Sequence, residues 1–434
     1  MSNSSTPVAI LGAGLTGMST AFHLASSGCP YRLFERGQRA GGLCTTIEER
    51  GFRFDRTGHL LHLRDEAMRK LVLRWVGDDH VTVQRRSVIW SHGVYSRYPY
   101  QANTFGLPPQ IAYECLMGFL RARETPPARE PTNFEEFCYA NFGDGFSKHF
   151  MIPYNSRLWG VHPREITAAW CSRFVPLPKL EDVIAGAVGL NDRELGYNTA
   201  FVYPRLGIGT LAESMARDVP GIELERAASR IDLHARQVHF DDGEIVSWDA
   251  LVSTLPLDRL CALVSDLPDD IRTAASRLRC NPLWYLDVAL DVPCGQPFHW
   301  VYVPEEKYPF YRVGCYSHFS AALAPEGKSC LYVELADRRE PDLLTLLPDV
   351  AAALVEMQFI QRPDQILFAR KRRIDYAYVV FDHDYFESVA TVQSFLRDHH
   401  VLSTGRYGGW NYSSMEDALL FGRDAARETL EIAR

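Results

Sequence analysis

The chain has 434 residues, 46 Lys and Arg against 54 Asp and Glu for a net charge of −8, and 46% hydrophobic residues. That length calls for two or three domains, the composition excludes a disordered or fibrous chain, and the acidic balance argues against a general nucleic-acid binder. An anionic ligand would need a local cluster of arginines working against this global balance.

In chain order, Val8-Ala9-Ile10-Leu11 is the short apolar run of a buried parallel strand. Gly12-Ala13-Gly14-Leu15-Thr16-Gly17 follows at once. Leu15, Met18, Ala21, Phe22 and Ala25 then recur at helical spacing until the stop signal Ser27-Gly28. A second strand, Tyr31 to Phe34, leads into Glu35, which lies 23 residues after Gly12. This is a dinucleotide-binding pattern. Gly12 permits the tight turn, Gly14 lets backbone approach a pyrophosphate, Gly17 lets helix and strand close up, and Glu35 accepts hydrogen bonds from ribose hydroxyls. The helix N-terminus adds free N–H groups and a positive dipole end, so Leu15 and Thr16 are candidate contacts, as is Arg36 beside the acid.

Glu66 to Trp75 reads as helix, as does Phe105 to Arg123 with Ile111, Leu116, Phe119 and Leu120. Three prolines make Glu124 to Pro131 a linker, and Thr132-Asn133 caps a helix carrying Phe134, Phe137 and Ala140. Residues 60–190 therefore read as mainly helical. From Gly221 the character changes: Leu233 to Phe240 and Glu244 to Val246 make a hairpin around Asp242-Gly243, and Asp249 to Thr254 is another apolar strand. Runs of β type at Trp284–Leu290, Trp300–Val303, Tyr311–Ser317 and Leu331–Leu335 suggest a mostly antiparallel sheet, and Asp417 to Ile432 is a terminal amphipathic helix. The ten cysteines are scattered, with no Cys-x-x-Cys pair and no Cys/His group at zinc-finger spacing. They read as buried thiols in a reducing compartment, and no metal is expected. The start of the chain lacks the basic and apolar regions of a secretion signal, and no run of about 18 apolar residues occurs, so the expectation is a cytoplasmic protein without a membrane span.

Arg39-Ala40-Gly41-Gly42-Leu43-Cys44-Thr45-Thr46 resembles the R-x-G-G-x-x-x-T element of FAD-dependent, amine-oxidase-like flavoproteins. The resemblance implies FAD as the dinucleotide, with Gly41, Gly42 and Leu43 beside it. A second G-x-G-x-x-G is absent, so NADPH or NADH, as reductant, would have to reach the flavin through the substrate cleft. The expected fold is α/β. A Rossmann-like FAD domain (1–60, 201–262 and 396–434) carries a helical insertion (61–200) and a mostly antiparallel β-sheet substrate domain (263–395).

Four other segments are rich in Tyr, Arg and Asn beside Gly and Pro: Tyr98 to Asn103, Pro153 to Gly160, Tyr302 to Arg312, and Gly405 to Tyr412. In this order, along nearly the whole chain, they resemble the UDP-galactopyranose mutase family, most specifically in the last, G-R-[FY]-G-x-W-x-Y. The resemblance implies an isomerase that interconverts pyranose and furanose forms of a nucleotide sugar, with N5 of reduced FAD attacking the anomeric carbon. It implies that Arg312 and Arg406 hold the substrate diphosphate and that Tyr302, Tyr378 and Tyr412 bind the same phosphates. Tyr98 and Gln101 would meet the uracil end, and Asn155, Arg173 and Asn198 would line the sugar end. His59 would face the isoalloxazine, and Gly405, Arg406 and Met415 would complete the cofactor site. The chain departs from the family at Glu416, where an Asn is usual and an acid would change contacts to phosphate or flavin, and at Thr57-Gly58-His59, where the family has G-G-H.

Elementary physics agrees with these roles. A nucleoside diphosphate carries about two charges, and Arg forks bind phosphate oxygens bidentately. Taken singly, an Arg in a strand is ordinarily a surface residue, a Tyr a core-edge residue, and Cys315 a core thiol; agreement across five separated segments favours a shared site. An amine-oxidase or protoporphyrinogen-oxidase type of enzyme remains the alternative. It shares the glycine pattern, the Arg39–Thr46 element and the F-x-x-F…P-Y-x-x-x-x-W-G pattern of Phe146 to Gly160. A flavin-binding scaffold without catalysis is a third. The sequence leaves the oligomeric state open.

Overall fold

The computed structural model describes residues 6–171, 175, 177–190 and 200–432. Its first sheet is built on the strand Thr6–Leu11, which pairs in parallel with Tyr31–Phe34 on one side and Ile245–Ser253 on the other. Val8, Ala9 and Ile10 are wholly buried, as a central parallel strand covered on both faces requires. Ile222–Glu223 extends one edge, Val401–Ser403 joins Ile245–Ser253, and Gln237–Phe240 with Ala228–Asp232 completes the other edge as an antiparallel ribbon. Three distant stretches of chain thus share one sheet. The helix Leu15–Ser26 lies against the terminal helix Met415–Ile432, where Thr16 and Ser19 donate to the carbonyls of Ala418 and Leu419 at 2.9 and 2.7 Å.

The second sheet runs Ile366–Val379, Cys280–Leu290, Ser329–Leu335, Phe310–Cys315, Trp300–Tyr302, Ser87–Ser91 and Val94–Arg97. Every pairing is antiparallel except that of Trp300–Tyr302 with Ser87–Ser91. Val288, Val313, Leu331 and Val333 pack with Val350 and Leu354 of the helix Leu343–Glu356 to form a core on one face. The other face supplies side chains to the cavity described below. The α/β class, with a Rossmann-like part, helices inserted in it and a mostly antiparallel sheet, is therefore as the sequence suggests.

Several expectations need correction. Within the mainly helical residues 60–190, His80–Gln84, Ser87–Ser91 and Val94–Arg97 are strands, and the last two complete the second sheet. The helix expected from Phe105 begins at Pro109, because two successive prolines set its start. Phe105 is left 66% exposed. The hairpin strand begins at Gln237, not Leu233, and its partner runs unbroken from Ile245 to Ser253. The 14-residue strand Ile366–Val379 was not foreseen. Asn133 caps the helix Phe134–Phe146 by accepting from the Glu136 amide, as expected. All ten cysteines are free thiols, seven of them buried. Among the described residues no helix is long and apolar enough to cross a membrane.

Candidate active site

The chain turns from the first strand into the first helix at Gly12, whose φ of +96° only glycine adopts easily. A side chain at Gly17 would meet the Gly12 carbonyl oxygen at 1.9 Å, so helix and turn close up because position 17 has none. Gly14 differs from both: a Cβ there meets nothing within 4 Å and would project into open space. That space is a cavity of about 1950 Å³, well above the roughly 300–1,000 Å³ of an ordinary small-molecule site. The first turn of the helix has no side-chain cap, so its amides are available to an anion. The Arg39–Thr46 element runs beside this turn, tied to it by the Gly41 amide donating to the Ala13 carbonyl at 2.8 Å. Glu35 accepts from the amides of Ala13 (2.9 Å) and Gly37 (2.8 Å). A carboxylate has about four acceptor directions, so hydroxyls can still be taken. Gly12, Gly14, Leu15, Thr16, Glu35, Arg36, Gly41, Gly42, Leu43, Gly405 and Met415 all line the cavity, and Gly17 supports it from behind. An uncapped helix start, an unfilled glycine cradle and an acid set beside them fit a dinucleotide.

The other end of the cavity is cationic. Sheet register puts Tyr302 opposite Arg312, and Arg312 opposite Glu334. A register shift between Phe310 and Arg312 lets the adjacent Tyr311 reach the same acid. Arg312 Nη2 donates to both Glu334 oxygens, at 2.6 and 2.7 Å, and to the Tyr378 hydroxyl at 3.2 Å; the Tyr311 hydroxyl donates to Glu334 at 2.6 Å. Burial opposes the charge on Arg312, but Glu334 and the surrounding phenols hold its pKa well above the ordinary value. Arg406 comes from the first sheet's side, on the short helix Gly405–Gly408 after the strand Val401–Ser403. Its guanidinium donates to the carbonyls of Ser413 (2.6 Å) and Ala377 (3.2 Å) and lies 4.9 Å from the Tyr412 ring centre. Among the described residues no carboxylate is in ion-pair range of it. Arg312, Arg406, Tyr378 and Tyr412 all line the cavity. Burial pushes the Tyr378 phenol up to about 12, so it stays a hydrogen-bond donor at neutral pH.

His59 lines the same space. Its loop is fixed by the Tyr316 hydroxyl, which accepts from the Thr57 amide at 3.1 Å and donates to the Asp55 carbonyl at 2.7 Å. Among the described residues the buried His59 Nδ1 has no hydrogen-bond partner. Burial, reinforced by the charge of Arg406 and then of Arg312, lowers the imidazole pKa to about 4.

The remaining candidates stand apart. Tyr98 and Tyr302 pack ring to ring at 5.3 Å, with Tyr154 5.3 Å from Tyr302 and the Arg85 guanidinium 5.4 Å from the Tyr98 ring. Gln101 is buried in a single turn of 3-10 helix, and Asn155 donates to the carbonyl of Met151 one helical turn back. Tyr98, Tyr302, Gln101 and Asn155 do not line the cavity. Arg173 and Asn198 lie outside the described residues. Glu416 does not face the cavity: its carboxylate accepts from the amides of Arg64 and, at 2.8 Å, Asp65, and so holds the loop before the helix Glu66–Val76. The reading of the sequence missed Glu334. Its signal is an acid inside the apolar run Leu331-Tyr-Val-Glu-Leu335, which only a buried partner explains.

Comparison with known proteins places the chain's fold and family. The chain superposes on reduced UDP-galactopyranose mutase with a TM-score of 0.93 at 26% identity, covering 98% of this chain and 94% of that one. A protein of Exiguobacterium sp. 255-15, provisionally named a protoporphyrinogen oxidase, gives 0.76 at 16% identity over 99% and 100%. Putrescine oxidase bound to putrescine gives 0.69 at 14% over 98% and 99%. The latter two share the fold alone. Residues 15–430 match flavin containing amine oxidoreductase, and the chain belongs to that family.

Proposed function

We propose that the protein is a flavin-dependent mutase that interconverts pyranose and furanose forms of a nucleotide sugar resembling UDP-galactose. The observation that carries this reading is the meeting of Arg312, Arg406, Tyr378 and Tyr412 at one end of the cavity that holds the dinucleotide cradle. An amine or porphyrinogen oxidase gains nothing from two guanidiniums there, whereas a diphosphate brings about two negative charges. The likeness to reduced UDP-galactopyranose mutase supports the same reading.

When bound in its reduced form, FAD supplies the nucleophilic N5 for the anomeric carbon. The chain's own residues handle the leaving group. Arg312, fixed by Glu334, presents a rigid donor fork, and Arg406 adds a positive charge that no carboxylate among the described residues cancels. Both stabilise charge that grows on the departing diphosphate, in a site whose dipoles are already oriented. The hydroxyls of Tyr378 and Tyr412 donate to the same oxygens. Neutral His59 adds no third charge beside the arginines and offers Nδ1 to a polar ligand group. The family resemblance assigns Tyr302 to the same phosphates, Tyr98 and Gln101 to the nucleotide end, and Asn155, Arg173 and Asn198 to the sugar. A nicotinamide reductant, NADPH or NADH, would have to reach the flavin through the open cavity.

The test is anaerobic incubation of the dithionite-reduced protein with UDP-galactopyranose, followed by anion-exchange chromatography. The expected result is a furanose product that the oxidised protein does not form. Absence of furanose together with oxygen uptake on an amine or porphyrinogen would replace this reading by the oxidase.

A further inference from the structure

Three soft donors meet on the face of the second sheet that is turned away from the cavity. Cys294 sits in the loop after the strand Cys280–Leu290, Cys315 ends the strand Phe310–Cys315, and His318 ends the 3-10 turn Tyr316–His318. The two sulfurs and one imidazole nitrogen lie within 4.8 Å of one another. Cys315 is wholly buried and packs in the apolar layer under Leu343–Glu356, whereas Cys294 and His318 are half-buried. His318 Nδ1 is 2.8 Å from the Phe298 carbonyl oxygen. A carbonyl only accepts, so Nδ1 carries the proton and Nε2 keeps its lone pair. Metal-binding histidines are oriented by the same kind of bond.

We propose that Cys294, Cys315 and His318 form a zinc site, with water in the fourth position on the solvent side. Tetrahedral zinc, with bonds of about 2.0–2.3 Å, sets its ligand atoms roughly 3.5–3.8 Å apart. The three donors need to draw together by only about an ångström, which small side-chain rotations supply. Binding releases two thiol protons to solvent, and two thiolates with a neutral imidazole cancel the charge of the ion. A neutral complex suits a site with one ligand wholly buried. Two cysteines alone would equally suit a disulfide; the oriented imidazole beside them is what points to a metal. The ion would fasten the 291–299 loop to the end of the strand that carries Arg312. The group is invisible to motif spacing because Cys294 and Cys315 stand 21 positions apart.

The test uses the full-length flavoprotein and zinc chloride, with affinity read by competition against a chromophoric chelator and the ligand shell by zinc X-ray absorption. About one zinc per chain is expected, with two sulfurs and a nitrogen in the shell. Cys294→Ser and His318→Gln should each weaken zinc binding by at least about tenfold, with the flavin spectrum unchanged. Both positions are half-buried, so these variants test the site even if Cys315→Ser does not fold. Zinc affinity unchanged in both folded variants, no zinc bound by the reduced-thiol protein, or peptide mapping that finds Cys294 and Cys315 disulfide-bonded in the isolated protein would each overturn the proposal.

Discussion

Arg312 and Glu334 face each other across adjacent strands, and a single guanidinium nitrogen, Nη2, donates to both carboxylate oxygens at 2.6 and 2.7 Å. Glu334 is wholly buried. Removing one member of such a pair strands the other charge in a poorly solvated place. Glu334→Gln should therefore lower unfolding stability by about 3 kcal/mol, read by urea denaturation. A loss below about 0.5 kcal/mol, the size of an ordinary surface change, would show that the pair is not structurally coupled.

Among the described residues Arg406 pairs with carbonyls and phenol rings and with no carboxylate, so its charge is free to act on a ligand. Arg406→Ala should raise the dissociation constant of UDP about 10- to 100-fold, the worth of a charged hydrogen bond, while the protein stays yellow. Arg406→Lys should not restore binding, because the two carbonyls engage separate arms of the fork. Titration calorimetry with UDP decides this. Affinity within twofold of the parent would remove Arg406 from the anion site.

His59 gives a pH prediction with a definite sign. Burial and Arg406 hold its folded pKa near 4, whereas an unfolded histidine titrates near about 6.5. As pH falls below about 6.5, the unfolded chain takes up a proton that the folded chain refuses. The contribution to stability is therefore lost between about 6.5 and 4, not gained. Histidine-labelled NMR should find a resonance with a midpoint near 4 that moves upward in Arg406→Ala. A midpoint that ignores that substitution would mean the two side chains do not interact.

The glycines separate folding from cofactor binding. Gly14→Ala places a methyl in open cavity at an ordinary φ of −76°, so the protein should fold normally. Its FAD affinity should fall by about 1–3 kcal/mol through overpacking. Gly17→Ala drives its methyl into the Gly12 carbonyl and should compromise folding itself. Circular dichroism with flavin reconstitution distinguishes the two; equal behaviour would mean Gly14 does not border the cofactor.

Legibility in the sequence followed how locally each feature is determined. The turn through Gly12, Gly14 and Gly17 and the Arg39–Thr46 element were readable because steric demands within one short stretch fix them. The strands at 80–97 were not. Ser87–Ser91 and Val94–Arg97 make a short hairpin, but its second partner, Trp300–Tyr302, lies more than 200 residues away, and His80–Gln84 pairs only with Ala200–Pro204 among the described strands. Ile366–Val379 was hidden by its basic residues, yet Arg370 and Arg372 are paired with Glu49 and Asp287. Tyr302 and Arg312 were readable as a spaced pair, but the reason for the spacing, that they face each other across two strands, appears only in the fold. Glu334 and the Cys294–Cys315–His318 group exist as clusters only through register and tertiary contact.

The most direct measurement is electron counting. The protein is reduced anaerobically with a limiting amount of NADPH and given excess UDP-galactopyranose, and furanose formed is compared with NADPH oxidised. Many furanose molecules for each NADPH consumed are predicted, because on the mutase reading the same diphosphate returns to the sugar and no electrons leave the cycle. One oxidised product for each electron pair, with no furanose, would contradict the mutase reading and make the protein an ordinary oxidoreductase of its family.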